Sequence, residues 1–163
     1  MIDAEAHTLK AIGRLEAEFP SAATLLVYVT LERCLKLFLL EQRHNLTDAD
    51  VALNKKVGRG KNVTLAGCTH LDDAAFVQTF LAECSLGSME VLFRVPDKKY
   101  STHRNEVFHS GLYLQNQLGK DYESRHAQNI RYLKTAKEHL IDASTRYFRH
   151  RIVERDGVLR FES

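Results

Sequence analysis

Ser21-Ala-Ala-Thr-Leu-Leu-Val-Tyr-Val-Thr-Leu-Glu-Arg-Cys-Leu-Lys-Leu-Phe-Leu-Leu40 is the stretch that decides the fold class. It is too long for a single strand, and it carries apolar side chains on more than one helical face (Leu25, Leu26, Val29, Leu35, Phe38, Leu39). The spacing predicts a helix from Ser21 to about His44, placed at the centre of a bundle or partly in a subunit contact. Glu32, Arg33 and Lys36 near its middle are charges that a membrane span rarely tolerates, so no membrane partner is expected.

The same period extends outward. Leu9, Ile12, Leu15 and Phe19 recur at helical spacing over residues 3–19, and Pro20 ends that pattern because the residue before a proline avoids helical dihedrals. Residues 45–64 read as a long basic loop, with Lys55, Lys56, Arg59 and Lys61 around Gly58 and Gly60. Asn62 follows Gly60-Lys61 where a phosphate-binding loop needs Ser or Thr, so that motif is not supported. A helix is expected over Leu71–Leu86, with Asp72 and Asp73 at the positive end of its dipole. Val95-Pro96-Asp97 breaks the chain, and the next helix runs from between Asp97 and Thr102 to Gly119. A last long helix covers residues 123–150, with Ile130, Leu133, Ala136, Leu140, Ile141, Ala143, Tyr147 and Phe148 as candidates for burial. Alternating apolar residues around Asp156-Gly157 fit a small hairpin or an ordered tail. The expectation is one all-α domain over residues 1–163, a four- to six-helix up-and-down bundle with a short β-hairpin at its end.

A net charge of +2 over 163 residues does not announce a nucleic-acid binder through bulk electrostatics; any such contact must come from local clusters. Cys34, Cys68 and Cys84 are odd in number and irregular in spacing, and read as reduced packing residues of a cytoplasmic protein. Cys68-x-His70 offers two ligands and no second pair, short of a zinc site.

The chemistry is concentrated in Arg104-Asn-Glu-Val-Phe-His109. On an ideal helix Arg104 and His109 lie about 140° apart, while Asn105 and His109, four residues apart, share a face. Val107, Gly111, Leu114 and Leu118 then line the core side, and Asn105, His109 and Asn116 form an opposite polar stripe flanked by Leu112 and Tyr113. Two copies meeting across a two-fold axis would bring two histidines and two arginines to one groove. Cleaving RNA through its 2′-hydroxyl needs a base, an acid for the departing 5′-oxygen, and a cation for the charge developing on the phosphoryl oxygens. Histidine fits the first or second role and Arg104 the third, with Asn105 orienting one of them. No metal and no cofactor is called for. His103 precedes the motif and can reach the same groove. Arg94, Lys98, Lys99 and Arg104 surround a single Asp97, and Tyr100 adds a stacking face, so the approach is locally basic.

Arg104-Asn105-x-x-x-His109, in the penultimate helix of an all-helical chain with a long apolar helix before it, resembles the motif of the HEPN superfamily, an Arg followed after four to six residues by His, often with Asn directly after the Arg. Leu31-Glu-Arg-Cys-Leu-Lys36 in the early helix is similar in placement, and the likeness covers most of residues 20–150. It implies a four- to five-helix bundle that dimerises with its motifs adjoining. It also implies metal-independent endoribonuclease activity in toxin–antitoxin, phage-defence or RNA-processing systems, with RNA, a second copy and a cognate antitoxin protein as partners. Arg104 and His109 would be catalytic and Asn105 supporting. One branch of the family pairs with a nucleotidyltransferase antitoxin that modifies a Tyr two residues after the His; this chain has Gly111 there and its nearest tyrosine at Tyr113.

Two other function classes fit the same residues: an inactive module that binds a nucleotide or a protein in the same groove, and a helical interaction subunit docking through its apolar second helix. Glu32 and Lys36 are spaced for a helix ion pair worth about 0.2–0.5 kcal/mol, and would be supporting polar residues if their helix lines the groove. Arg146, Arg149, His150 and Arg151 suit the negative end of the last helix's dipole.

Overall fold

The computed structural model describes residues 2–51, 53, 63–89 and 122–162, which are mostly helical. In chain order these hold α1 (Ile2–Leu15), α2 (Pro20–Gln42), α3 (Leu65–Cys68), α4 (Asp73–Thr79), 3-10 turns at Leu81–Glu83 and Gly87–Met89, α5 (Tyr122–Tyr147), β1 (Ile152–Arg155) and β2 (Val158–Phe161). The chain divides into two compact units, Met1–Leu31 with His103–Ser163, and Glu32–Thr102. No helix among the described residues is long and apolar enough to cross a membrane.

In the first unit α1 buries Leu9 and Ile12, one helical turn apart, together with Glu5 on the same face. Leu15 is half-buried, and Phe19, expected to continue that stripe, is 47% exposed because α1 has already ended at Leu15. Pro20 opens α2 as its first residue, the one helical position where a missing N–H costs nothing, and Phe19 O accepts from Ala23 N at 3.1 Å. The first half of α2 buries Ala23, Val27, Tyr28 and Leu31, and also Thr24 and Thr30. Those two hydroxyls are tolerated because each donates back into its own helix, to Pro20 O and to Leu26 O, both at 2.8 Å. Val29 lies on the other side and is 51% exposed.

α5 shows one continuous buried stripe, Asn129, Leu133, Ala136, Lys137, Leu140, Ala143 and Ser144. Ile130, expected inside, is 48% exposed: it sits about 60° off Leu133, on the stripe's flank, where Ile141 too is only half-buried. The hairpin forms as the Asp156-Gly157 pair anticipates, with both central residues at positive φ (54° and 76°) as a two-residue turn of right-handed strands demands. Its register pairs Ile152 with Phe161, Val153 with Arg160, Glu154 with Leu159 and Arg155 with Val158. β1 packs on α5 and β2 on α1. Ile152 and Leu159 are the buried members of the inner face. Ser144 Oγ, accepting from Ile152 N at 2.8 Å and donating to Ile141 O at 2.7 Å, ties the first strand to α5.

In the second unit the helix expected over Leu71–Leu86 is broken. α4 stops at Thr79, a 3-10 turn covers Leu81–Glu83, and Cys84 is extended. Phe76, Phe80, Leu81 and Cys84 nevertheless all face inward, with the Phe76 and Phe80 rings stacked at 5.2 Å. A 3-10 turn keeps residues three apart on one side as an α-helix does, so the burial pattern survives the tightening. Asp72 caps α4 by accepting from Ala75 N at 2.8 Å. α3 is only four residues long and is capped twice, Thr64 Oγ1 accepting from Gly67 N and Asp48 Oδ1 from Ala66 N, each at 3.1 Å. Arg43 joins the end of α2 to the start of α4: its guanidinium donates to Leu40 O, pairs with Asp73 Oδ1 at 2.8 Å, and lies over the Phe76 ring at 5.2 Å.

Candidate functional site

Of the residues that the sequence assigns to the catalytic groove or its support, Glu32 and Lys36 fall within the described structure. His103, Arg104, Asn105, His109, Tyr113, Asn116, Lys98 and Lys99 lie outside the described residues. On the second half of α2 the Lys36 ammonium meets Glu32 Oε1 at 3.3 Å, with both side chains half-buried, so the four-residue spacing does form the ion pair expected of it.

This pair borders a thiol. Cys84 is buried, and burial pushes its pKa up to about 12; the Lys36 ammonium acts against that rise, while Glu32, Glu83 and Cys68 add to it. Cys68 is raised too, by burial first and then by Asp48. Both thiols are therefore protonated near neutrality, which suits packing and not nucleophilic chemistry. In Cys68-x-His70 the thiol is buried while the imidazole is exposed. Among the described residues no three His, Cys, Asp or Glu side chains are grouped as a metal site.

The first unit holds a polar cluster that the motif reading passed over. Lys137, on the buried stripe of α5, places its ammonium 2.5 Å from Glu16 Oε2, 3.2 Å from Glu154 Oε2, and within donating distance (3.2 Å) of Gly157 O. One cation thus fastens α1, the first strand and the hairpin turn to α5. The signal was present in the helix phase: Lys137 falls where Leu133, Ala136 and Leu140 demand a buried side chain. Two α5 residues on, burial lowers the pKa of half-buried His139, against the opposing pull of Glu138 and Asp142.

No family model matches the chain, and no curated protein or solved structure does.

Proposed function

We propose that the chain is a metal-independent endoribonuclease of the HEPN type, cytoplasmic, built as a four- to six-helix up-and-down bundle and acting as a homodimer. A toxin, phage-defence or RNA-processing role follows from that reading. The observation that carries it is the sequence Arg104-Asn105-x-x-x-His109. The mostly helical character of the described residues, with the long apolar α2 ahead of the motif and the long α5 after it, is compatible with the bundle.

In this mechanism a ribose 2′-hydroxyl gives up its proton, its oxygen forms a bond to the adjacent phosphorus, and the 5′-oxygen leaves with a proton. The products are a 2′,3′-cyclic phosphate and a free 5′-hydroxyl. His109 moves one of the two protons and Arg104 stabilises the charge on the phosphoryl oxygens with its fixed fork of donors. Asn105, four residues before His109 and so on its face of the expected helix, would hold the imidazole or the phosphate in line. A symmetry-related His109 supplies the second proton transfer.

The test is incubation of the protein with total RNA in excess chelator. The wild type is expected to cut, and Arg104→Ala or His109→Ala to slow cutting by about 10²- to 10⁴-fold while the circular dichroism spectrum and the mass in solution stay unchanged. Cleavage retained by both variants defeats the proposal. Saturable nucleotide or protein binding without cleavage by the wild type would place the chain among inactive binding modules instead.

A further inference from the structure

The register of the hairpin sorts its side chains into two faces. Ile152, Glu154, Leu159 and Phe161 make the inner one, where Ile152 and Leu159 are buried and Glu154 turns to Lys137. Val153, Arg155, Val158 and Arg160 share the other. Val158 rests against α1, its Cγ1 lying 3.8 Å from where a Cβ on Gly13 would stand, which leaves Arg155 and Arg160 as the exposed members of that face. Neither guanidinium is ion-paired among the described residues.

The surrounding carboxylates are mostly engaged. Glu162 pairs with Arg151 at 3.6 Å and Asp142 with Arg146 at 3.5 Å, while Asp156 stays open at the turn. Between Arg146 and Ser163 the chain uses five arginines (Arg146, Arg149, Arg151, Arg155, Arg160) and no lysine. Solubility alone is served as well by lysine; a fork of fixed donors is what a phosphate recognises bidentately. Arg155 and Arg160 are diagonal neighbours across the two strands, about 7–8 Å apart at that spacing. Side chains of that length reach two adjacent phosphates of one strand. On α1, Lys10 is three residues from Gly13, on the same flank, and is also exposed.

From this we infer that the outer face of the hairpin, through Arg155 and Arg160, binds the phosphodiester backbone of single-stranded RNA. The inference rests on the nuclease reading for the identity of the polyanion, but not for the surface itself. It assigns the hairpin to gripping the substrate strand without reading its bases, as arginine contacts to phosphate do.

The experiment measures binding of a fluorescent, mixed-sequence single-stranded RNA by anisotropy, in a His109→Ala background and excess chelator so that the strand is not cut. Arg155→Gln with Arg160→Gln is expected to weaken binding about tenfold at low salt, and to make the plot of log K against log salt shallower by about 1.4, for two phosphates at roughly 0.7 each. Arg155→Lys with Arg160→Lys should recover most of the salt slope, which a merely unfolded hairpin would not do. Unchanged affinity and slope in the Gln pair overturns the inference. So does a loss confined to an acidic peptide or to anionic vesicles used as competing ligands, which would name a protein or a membrane as the occupant. Cleavage of total RNA by the unmutated protein, run separately, reports on the nuclease reading, so the two can fail independently.

Discussion

Lys137 occupies a position that its helix assigns to the interior, and the chain resolves the conflict by surrounding the ammonium with two carboxylates and a carbonyl. Its partners are not equally protected: Glu16 is mostly covered, whereas Glu154 is open to water. Truncating the lysine strands two carboxylates and cuts the link from α5 to the hairpin, so Lys137→Ala should lower unfolding free energy by about 2–3 kcal/mol, near the lower end for a broken buried pair. Glu154→Gln should cost less than Glu16→Gln; urea unfolding at neutral pH measures all three. His139 makes a pH statement. Its folded pKa lies below 6.5, so the unfolded chain takes up the proton first, and stability present above about pH 6.5 is lost as the pH falls through the folded value. His139→Leu should flatten that acid limb of the urea midpoint. Cys84 acts at the other end: with its pKa raised from 9.0 to about 12, stability is full below pH 9 and declines as the pH rises toward 12. A thiol reagent at pH 8 should label Cys84 in urea and leave it unlabelled in the folded protein.

At the scale of elements, the hairpin is the clearest case of local sequence specifying local structure. Gly157 sits at φ 76°, where a side chain is strained, and Gly157→Ala should cost about 1–2 kcal/mol. Asp156→Gly should be tolerated far better, because it relieves the strain at φ 54°; thermal melting of the two variants distinguishes them. α1, α2, α5 and the hairpin were legible because each carries a period or a turn signal longer than one turn of chain. α3 was not, since four residues cannot display a period and one of its caps, Asp48, comes from 18 residues away. The break between Thr79 and Leu81 was hidden for a different reason: α and 3-10 geometry put the same residues inward, so the spacing of Phe76, Phe80, Leu81 and Cys84 does not report which one is present. Phe19 was misplaced because α1 ends at Leu15, four residues before it, and Ile130 because periodicity gives a direction but not the edge of the buried stripe. Of the candidate site, the Glu32–Lys36 pair was readable from spacing alone and is formed. The helix expected to carry Arg104 and His109 lies outside the described residues, so their relation is read from the sequence alone.

At the scale of the whole molecule, the proposed chemistry requires two chains. On the expected helix Arg104 and His109 would lie about 140° apart and would not converge on one phosphate by themselves, whereas two copies across a two-fold axis would supply both proton transfers and two cations. Mixing Arg104→Ala and His109→Ala chains should restore only a small part of the activity, because the mixed groove regains one arginine beside one histidine but still lacks the second histidine; mass in solution should read a dimer throughout. The central claim is attack by a ribose 2′-hydroxyl under the control of His109 and Arg104. Its most direct test is digestion, in chelator, of an oligonucleotide that is 2′-O-methylated at every position but one. The expected result is a single cut at the unmodified ribose, leaving a 2′,3′-cyclic phosphate and a 5′-hydroxyl, and slowed by about 10²- to 10⁴-fold with His109→Ala. Cutting at methylated positions, or an undiminished cut by the His109→Ala protein, would contradict it.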